Sequence, residues 1–81
     1  MGNSENYIRS VKQELLDRLG LKQVTYVKQV HDDLFFDAVG FEKGIEHKFR
    51  IKPLTGRVDE FIVGKWVRVQ KFMIKSTKID D

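Results

Sequence analysis

Cysteine is absent from these 81 residues. That removes disulfides and thiolate-bound metals as sources of stability, and it fits a reducing compartment. Proline occurs once, at Pro53, where it presets φ for a turn. Long apolar runs are missing too, and none approaches the roughly 20 residues that a membrane-spanning helix needs. The N-terminus, Met1 to Asn6, lacks the basic region and apolar run of a signal peptide. Asn6 stands where a myristoylation motif requires Ser or Thr. These absences lead to the expectation of a cytoplasmic protein with no membrane partner.

What is present describes one folded domain, residues 1–81. A third of the chain is charged and 41% is hydrophobic, which is the balance of a folded chain rather than a disordered one. A chain of this length buries only about 60% of its unfolded surface, so its stability should be modest. The net charge is +3, mildly basic and short of the charge of an obvious nucleic-acid binder.

Ile8, Val11, Leu15 and Leu19 recur at spacings of three and four, which places them on one face of a helix over about residues 4–19. Asn3 or Ser4 is suited to the N-cap. Glu5–Arg9 and Glu14–Arg18 are favourable i,i+4 pairs, and Gly20 supplies the stop. After Gly20 the period changes to two. The runs Val24–Val30, Leu34–Phe41, Ile45–Ile51, Arg57–Val63 and Trp66–Ile74 read as strands of a meander over about residues 23–75. Their breaks are Asp32-Asp33, Lys43-Gly44, Pro53-Leu54-Thr55-Gly56 and Gly64-Lys65. Connections this short join antiparallel neighbours. Residues 76–81 read as a polar tail. The expected fold class is α+β: one N-terminal helix packed on a four- or five-stranded antiparallel β-meander.

Centring each turn gives a register. Asp37 should face Arg50, and Val39 should face Lys48. Arg50 should face Asp59, with Lys52 opposite Arg57 and Lys48 opposite Phe61. Val63 should face Trp66, and Phe61 should face Arg68. One face then carries Phe36, Ala38, Phe49, Ile51, Val58, Ile62, Val67 and Val69, and is the face on which the helix should dock. Glu60 falls there too, an odd place for a carboxylate unless it reaches an edge. The opposite face carries Phe35, Asp37, Val39, Phe41, Lys48, Arg50, Lys52, Arg57, Asp59, Phe61, Val63, Trp66 and Arg68, with Tyr26 and Val30 as candidates to join it. A single helix cannot cover both faces.

Catalytic signals are sparse. His31 precedes Asp32-Asp33 at a hairpin tip, where neighbouring side chains diverge, and His47 falls on the helix-facing side. There is no H-x-x-x-H pair. Ser4, Ser10 and Ser76 lie outside any nucleophile elbow. Lys43-Gly44 and Gly64-Lys65 do not form a phosphate-cradling loop. No catalytic residue, metal site or cofactor is expected.

The candidate binding residues are Lys48, Arg50, Lys52, Phe61, Trp66 and Arg68. Aromatic rings interleaved with cations on a surplus sheet face suit a protein partner or a second copy of the chain. The same residues, with Phe35 as a candidate to join them, suit single-stranded nucleic acid, whose bases stack and whose phosphates pair. Against both stands a plainer reading, in which the cations solubilise an exposed strand while Phe61 and Trp66 close the core.

Phe49-Arg50-Ile51, Thr55-Gly56 and Val58, with Gly44 in the preceding turn and a helix upstream, resemble the hairpins of PepSY domains. The likeness covers about residues 5–63. Lys52-Pro53 stands where that family usually has Asp, and the Trp66–Ile74 run lies outside it. The resemblance implies a module that binds or regulates a protein, often a peptidase, without catalysis of its own. The functional expectation is therefore a small non-enzymatic protein-interaction module, regulatory or inhibitory, with single-stranded nucleic-acid binding as the alternative.

Overall fold

The computed structural model describes residues 3–43, 45–70 and 73–74. Helix α1 (Asn3–Leu19) precedes five strands: β1 (Gln23–Val30), β2 (Asp33–Val39), β3 (Glu46–Lys52), β4 (Arg57–Ile62) and β5 (Lys65–Arg68). The strands form one antiparallel sheet in the order β1-β2-β3-β4-β5. This is the expected α+β meander, with five strands. The tail at residues 76–81 lies outside the described residues, as do the side chains of the expected N-cap pair, Asn3 and Ser4.

The helix follows its apolar stripe. Val11 and Leu15 are fully buried, and Tyr7, Ile8, Leu16 and Leu19 pack at the margin of the core. Glu14 pairs with Arg18 at 3.2 Å, and Gln13 donates to Asp17 at 3.0 Å. Gly20 ends the helix with φ 62°, and the Leu21 N–H closes back on the Leu16 carbonyl at 3.2 Å. Across from α1, the sheet contributes Leu34, Phe36, Ala38, Phe49, Ile51 and Val58, all buried. Phe36 pairs with Phe49 across β2 and β3, and the Tyr26 ring meets Phe36 edge-on at 5.5 Å.

Three turns lie one residue away from their expected centres or shift their pairing. His31-Asp32 joins β1 to β2, with Val30 opposite Asp33, rather than Asp32-Asp33. Val63-Gly64 joins β4 to β5, with Ile62 opposite Lys65, rather than Gly64-Lys65. Both residues have positive φ, 47° and 81°, which is the type I′ hairpin geometry. Between β2 and β3, Val39 pairs with Glu46, so Asp37 faces Lys48 and not Arg50. The Pro53–Gly56 turn is as expected: Lys52 faces Arg57, and Gly56, at φ 79°, donates its N–H to the Lys52 carbonyl at 2.7 Å.

Moving a turn centre by one residue moves every cross-strand partner by two, and two is the side-chain period of a strand. The partners changed while the faces did not. A β-bulge breaks this rule in β1. Tyr26 faces Phe36 while Lys28 faces Phe35, so Val27 is the extra residue. Tyr26 consequently lies on the core side, not on the opposite face, and Lys28 takes the outer place.

The far end of the sheet departs from expectation. Strand β5 stops at Arg68 rather than running to Ile74. Ile62 and Val67 are exposed, because α1 packs over β1 and does not reach them. The chain instead returns along β4: Val69 donates to the Val58 carbonyl at 2.8 Å, and Ile74 donates to the Gly56 carbonyl at 2.8 Å. Ile74 is buried and completes the core.

Candidate functional site

The face away from α1 is ordered by one row that crosses all five strands. Lys28 faces Phe35, Phe35 faces Arg50, Arg50 faces Asp59, and Asp59 faces Arg68. Alternation places these residues on the side opposite Phe36, Phe49 and Val58. Asp59, fourth of the five, is 0% exposed. Its Oδ2 accepts from Arg50 Nε at 3.1 Å and Nη2 at 2.7 Å, and its Oδ1 accepts from Arg57 Nε at 2.9 Å. Burial alone pushes the Asp59 carboxyl up, but the hydrogen bonds and charges of Arg50 and Arg57 outweigh it and hold the group below its ordinary value.

The aromatic residues sit directly on this frame. Trp66 faces Phe61 across β4 and β5, with ring centroids 5.1 Å apart and a 60° interplanar angle. The Trp66 ring also meets Phe35 edge-on at 5.6 Å, and the Arg50 guanidinium lies over it at 4.8 Å. Lys28 reaches over the Phe35 ring at 5.5 Å. Beside these rings is a hollow of about 250 Å³, bordered by Lys28, Phe35, Asp37, Lys48 and Trp66.

Arg50, Phe61 and Trp66 are thus brought into one cluster. Lys48 borders it and is held by Asp37, Nζ to Oδ1 at 3.3 Å. Lys52 pairs with Asp33 at 3.1 Å, beyond Arg50 along β3. Arg68 lies at the outer end of the row, with Nη2 3.8 Å from Met73 Sδ. The expected Asp37–Arg50–Asp59 ladder is only half present, because Phe35 occupies the place opposite Arg50. Phe61 is 42% exposed and does not close the core.

Sequence reasoning missed three contributors. Lys28 was hidden by the bulge, and Arg57 was placed on this face without a binding role. Val63 was read as a strand residue, but it forms the β4–β5 turn tip, 92% exposed and left-handed. The glycine after it was the available signal, since a residue followed by Gly between two strands suits a type I′ turn.

The histidines lie elsewhere. His31 is exposed in its turn. His47, on the α1 side, places Nδ1 2.7 Å from Glu60 Oε2 and stacks on Phe49 at 6.0 Å. This accounts for Glu60 on the core-facing side: it is paired and reaches solvent at the margin. Among the described residues no three metal-ligating groups come together, and no helix is long and apolar enough to cross a membrane. Comparison with protein-family models, curated proteins and solved structures finds no match.

Proposed function

We propose that this domain is a non-enzymatic binding module whose helix-free face docks an acidic, apolar-bearing segment of a protein partner around Phe61 and Trp66. One observation carries the reading: Phe35, Trp66 and Phe61 form a three-ring cluster on the helix-free face, with Arg50 over Trp66, Phe35 and Trp66 half-buried and Phe61 exposed. Aromatic and arginine side chains in such a setting are the usual energetic centres of protein interfaces. The strand register assigns Lys28, Lys48, Arg50, Lys52, Arg57 and Arg68 to this face against Asp33, Asp37, Glu46 and Asp59, an excess of two cations that favours an acidic partner. The resemblance to PepSY domains implies the same kind of role.

The ion pairs favour protein over single-stranded nucleic acid. Lys48, Arg50 and Lys52 each hold a carboxylate; a phosphate chain, charged at every nucleotide, would have to displace Asp37, Asp59 and Asp33, whereas a protein segment needs only one or two acids to match the two-cation excess. Val63 supports an interaction at this end of the sheet. A β-branched residue in the left-handed region is strained, and strain of this kind concentrates at functional positions.

The test compares the wild-type chain with a Phe61→Ala/Trp66→Ala variant. A partner trapped by crosslinking and then purified should bind the wild type and lose about thirtyfold or more in affinity for the variant, the scale of an interface hot spot. The variant should retain a cooperative melt. Unfolding would make the rings structural and end the reading. Oligonucleotide binding that depends on Trp66 and falls steeply with salt would replace it with nucleic-acid recognition.

A further inference from the structure

On the opposite side of the sheet, the C-terminal end of α1 and the β2–β3 connection enclose an open-sided cleft of about 440 Å³, within the usual range of small-molecule sites. Its floor is Phe49, on which the His47 ring stacks. Phe41, 76% exposed, and Ile45 stand at its rim. The protein carries a net +3 charge, yet the charged residues lining this cleft are Glu42 and Glu60, with no Lys or Arg among the described lining residues.

The charged side chains lining the cleft, Glu42 and Glu60, are hydrogen-bond acceptors. Leu19 and Gly20 bring the negative end of the helix dipole to one wall. A carboxylate only accepts, so the 2.7 Å contact between His47 Nδ1 and Glu60 Oε2 puts a proton on Nδ1. In the neutral ring, Nε2 is then left as an acceptor. It lies on the side of Gly40, where a Cβ would stand 3.5 Å away, so the missing side chain opens that nitrogen to the cleft. Acceptors on apolar walls match a group that only donates, and an ammonium is such a group.

We propose that this cleft binds a small organic cation, a primary amine carried on a short aromatic body. The ammonium sits between Glu60, His47 Nε2 and the end of α1, while the ring lies against Phe41 and Ile45. The site is independent of the aromatic cluster on the other face.

The test is an NMR titration of the intact chain with 2-phenylethylamine, 2-phenylethanol and 3-phenylpropionate, following backbone amides. The amine should give saturable shifts at Gly40, Phe41, Ile45 and His47. The alcohol should bind about tenfold more weakly, as expected for loss of a charge-assisted hydrogen bond, and the carboxylate should not bind. Glu60→Gln should weaken the amine by about tenfold. Gly40→Leu should abolish binding, while Phe61→Ala/Trp66→Ala should leave it unchanged. Should Glu60→Gln fail to fold, the exposed Glu42→Gln keeps the charge test open, with a smaller loss expected. No saturation by the amine, or equal binding of amine and alcohol, overturns the proposal. Equal binding of Nα-acetyl-lysine amide overturns the small-molecule assignment in favour of a protein lysine.

Discussion

The guanidinium of Arg50 lies 4.8 Å over the Trp66 ring while its nitrogens hold the Asp59 carboxylate from the side. One cation therefore joins a solvent-facing aromatic ring to a fully buried acid. Replacing Asp59 with Asn keeps the shape but leaves Arg50 and Arg57 without a charge partner. The expected loss is about 2–3 kcal/mol, below the range for a fully buried pair because both arginines are partly exposed. Asp37→Asn, which breaks an exposed pair with Lys48, should cost less than about 0.5 kcal/mol. Urea denaturation of the two variants checks the contrast.

Asp59 also sets an acid limit. Its folded-state pKa is depressed, so the native state releases this proton more readily than the unfolded chain. The stabilisation is fully present above the unfolded value of about 3.9 and is lost as pH falls through the lower folded value. The stability gap between wild type and Asp59→Asn should close over that window. A gap that persists at still lower pH would show that the carboxylate's charge is not its source.

Tyr7 sets an alkaline limit. Burial pushes its phenol up to about 12 from the ordinary value of 10.0. The folded state holds the proton over an interval in which the unfolded chain has released it, so stability is present below pH 10 and falls as pH rises toward 12. Tyr7→Phe should remove this contribution, leaving a flatter stability profile across the interval in thermal melts recorded by circular dichroism.

Val63 should yield opposite effects on stability and binding. Val63→Asn places Asn-Gly in a turn that requires positive φ at both residues, and relieves a β-branched side chain held at φ 47°. Stability should rise by about 1 kcal/mol. Partner affinity should fall, since the exposed apolar tip beside Phe61 is lost. A gain in melting temperature with unchanged binding would remove Val63 from the interface.

The core should be unforgiving. Phe49 is almost fully buried, paired with Phe36 and Glu60 and stacked on His47. Phe49→Ala should cost about 3–5 kcal/mol, a large part of the stability of any small domain, and should broaden or abolish the thermal transition. Ile51→Val, which removes one methylene, should cost about 1 kcal/mol.

Much of this fold was legible in the residue pattern because each element carried its own signal. The Val11–Leu15 stripe and Gly20 delimit the helix, and the two inward phenylalanines locate the core. The faces survived misplaced turns because the errors moved partners by the strand period. Tyr26 was misplaced because nothing in Thr25-Tyr26-Val27-Lys28 announces a bulge; its position is set by pairing with β2. The extent of α1 coverage was equally invisible, so Ile62 and Val67 were counted as core. Asp59 was read as one rung of a cross-strand charge ladder, but it is buried between Arg50 from β3 and Arg57 from its own strand. The His47–Glu60 cleft escaped notice because its walls come from segments distant in sequence.

The extra residue at Val27 has a consequence for how this sheet ends. Along the outer side of β1, residues 23–26 and 28–30 offer their amides and carbonyls in different phase. A regular strand arriving from another molecule could match one segment but would fall out of step with the next. At the opposite margin, β5 offers only four residues. Lateral growth into a ribbon or fibril is thereby disfavoured at both borders, and the sheet's broad surfaces, rather than its rims, are left to meet other molecules.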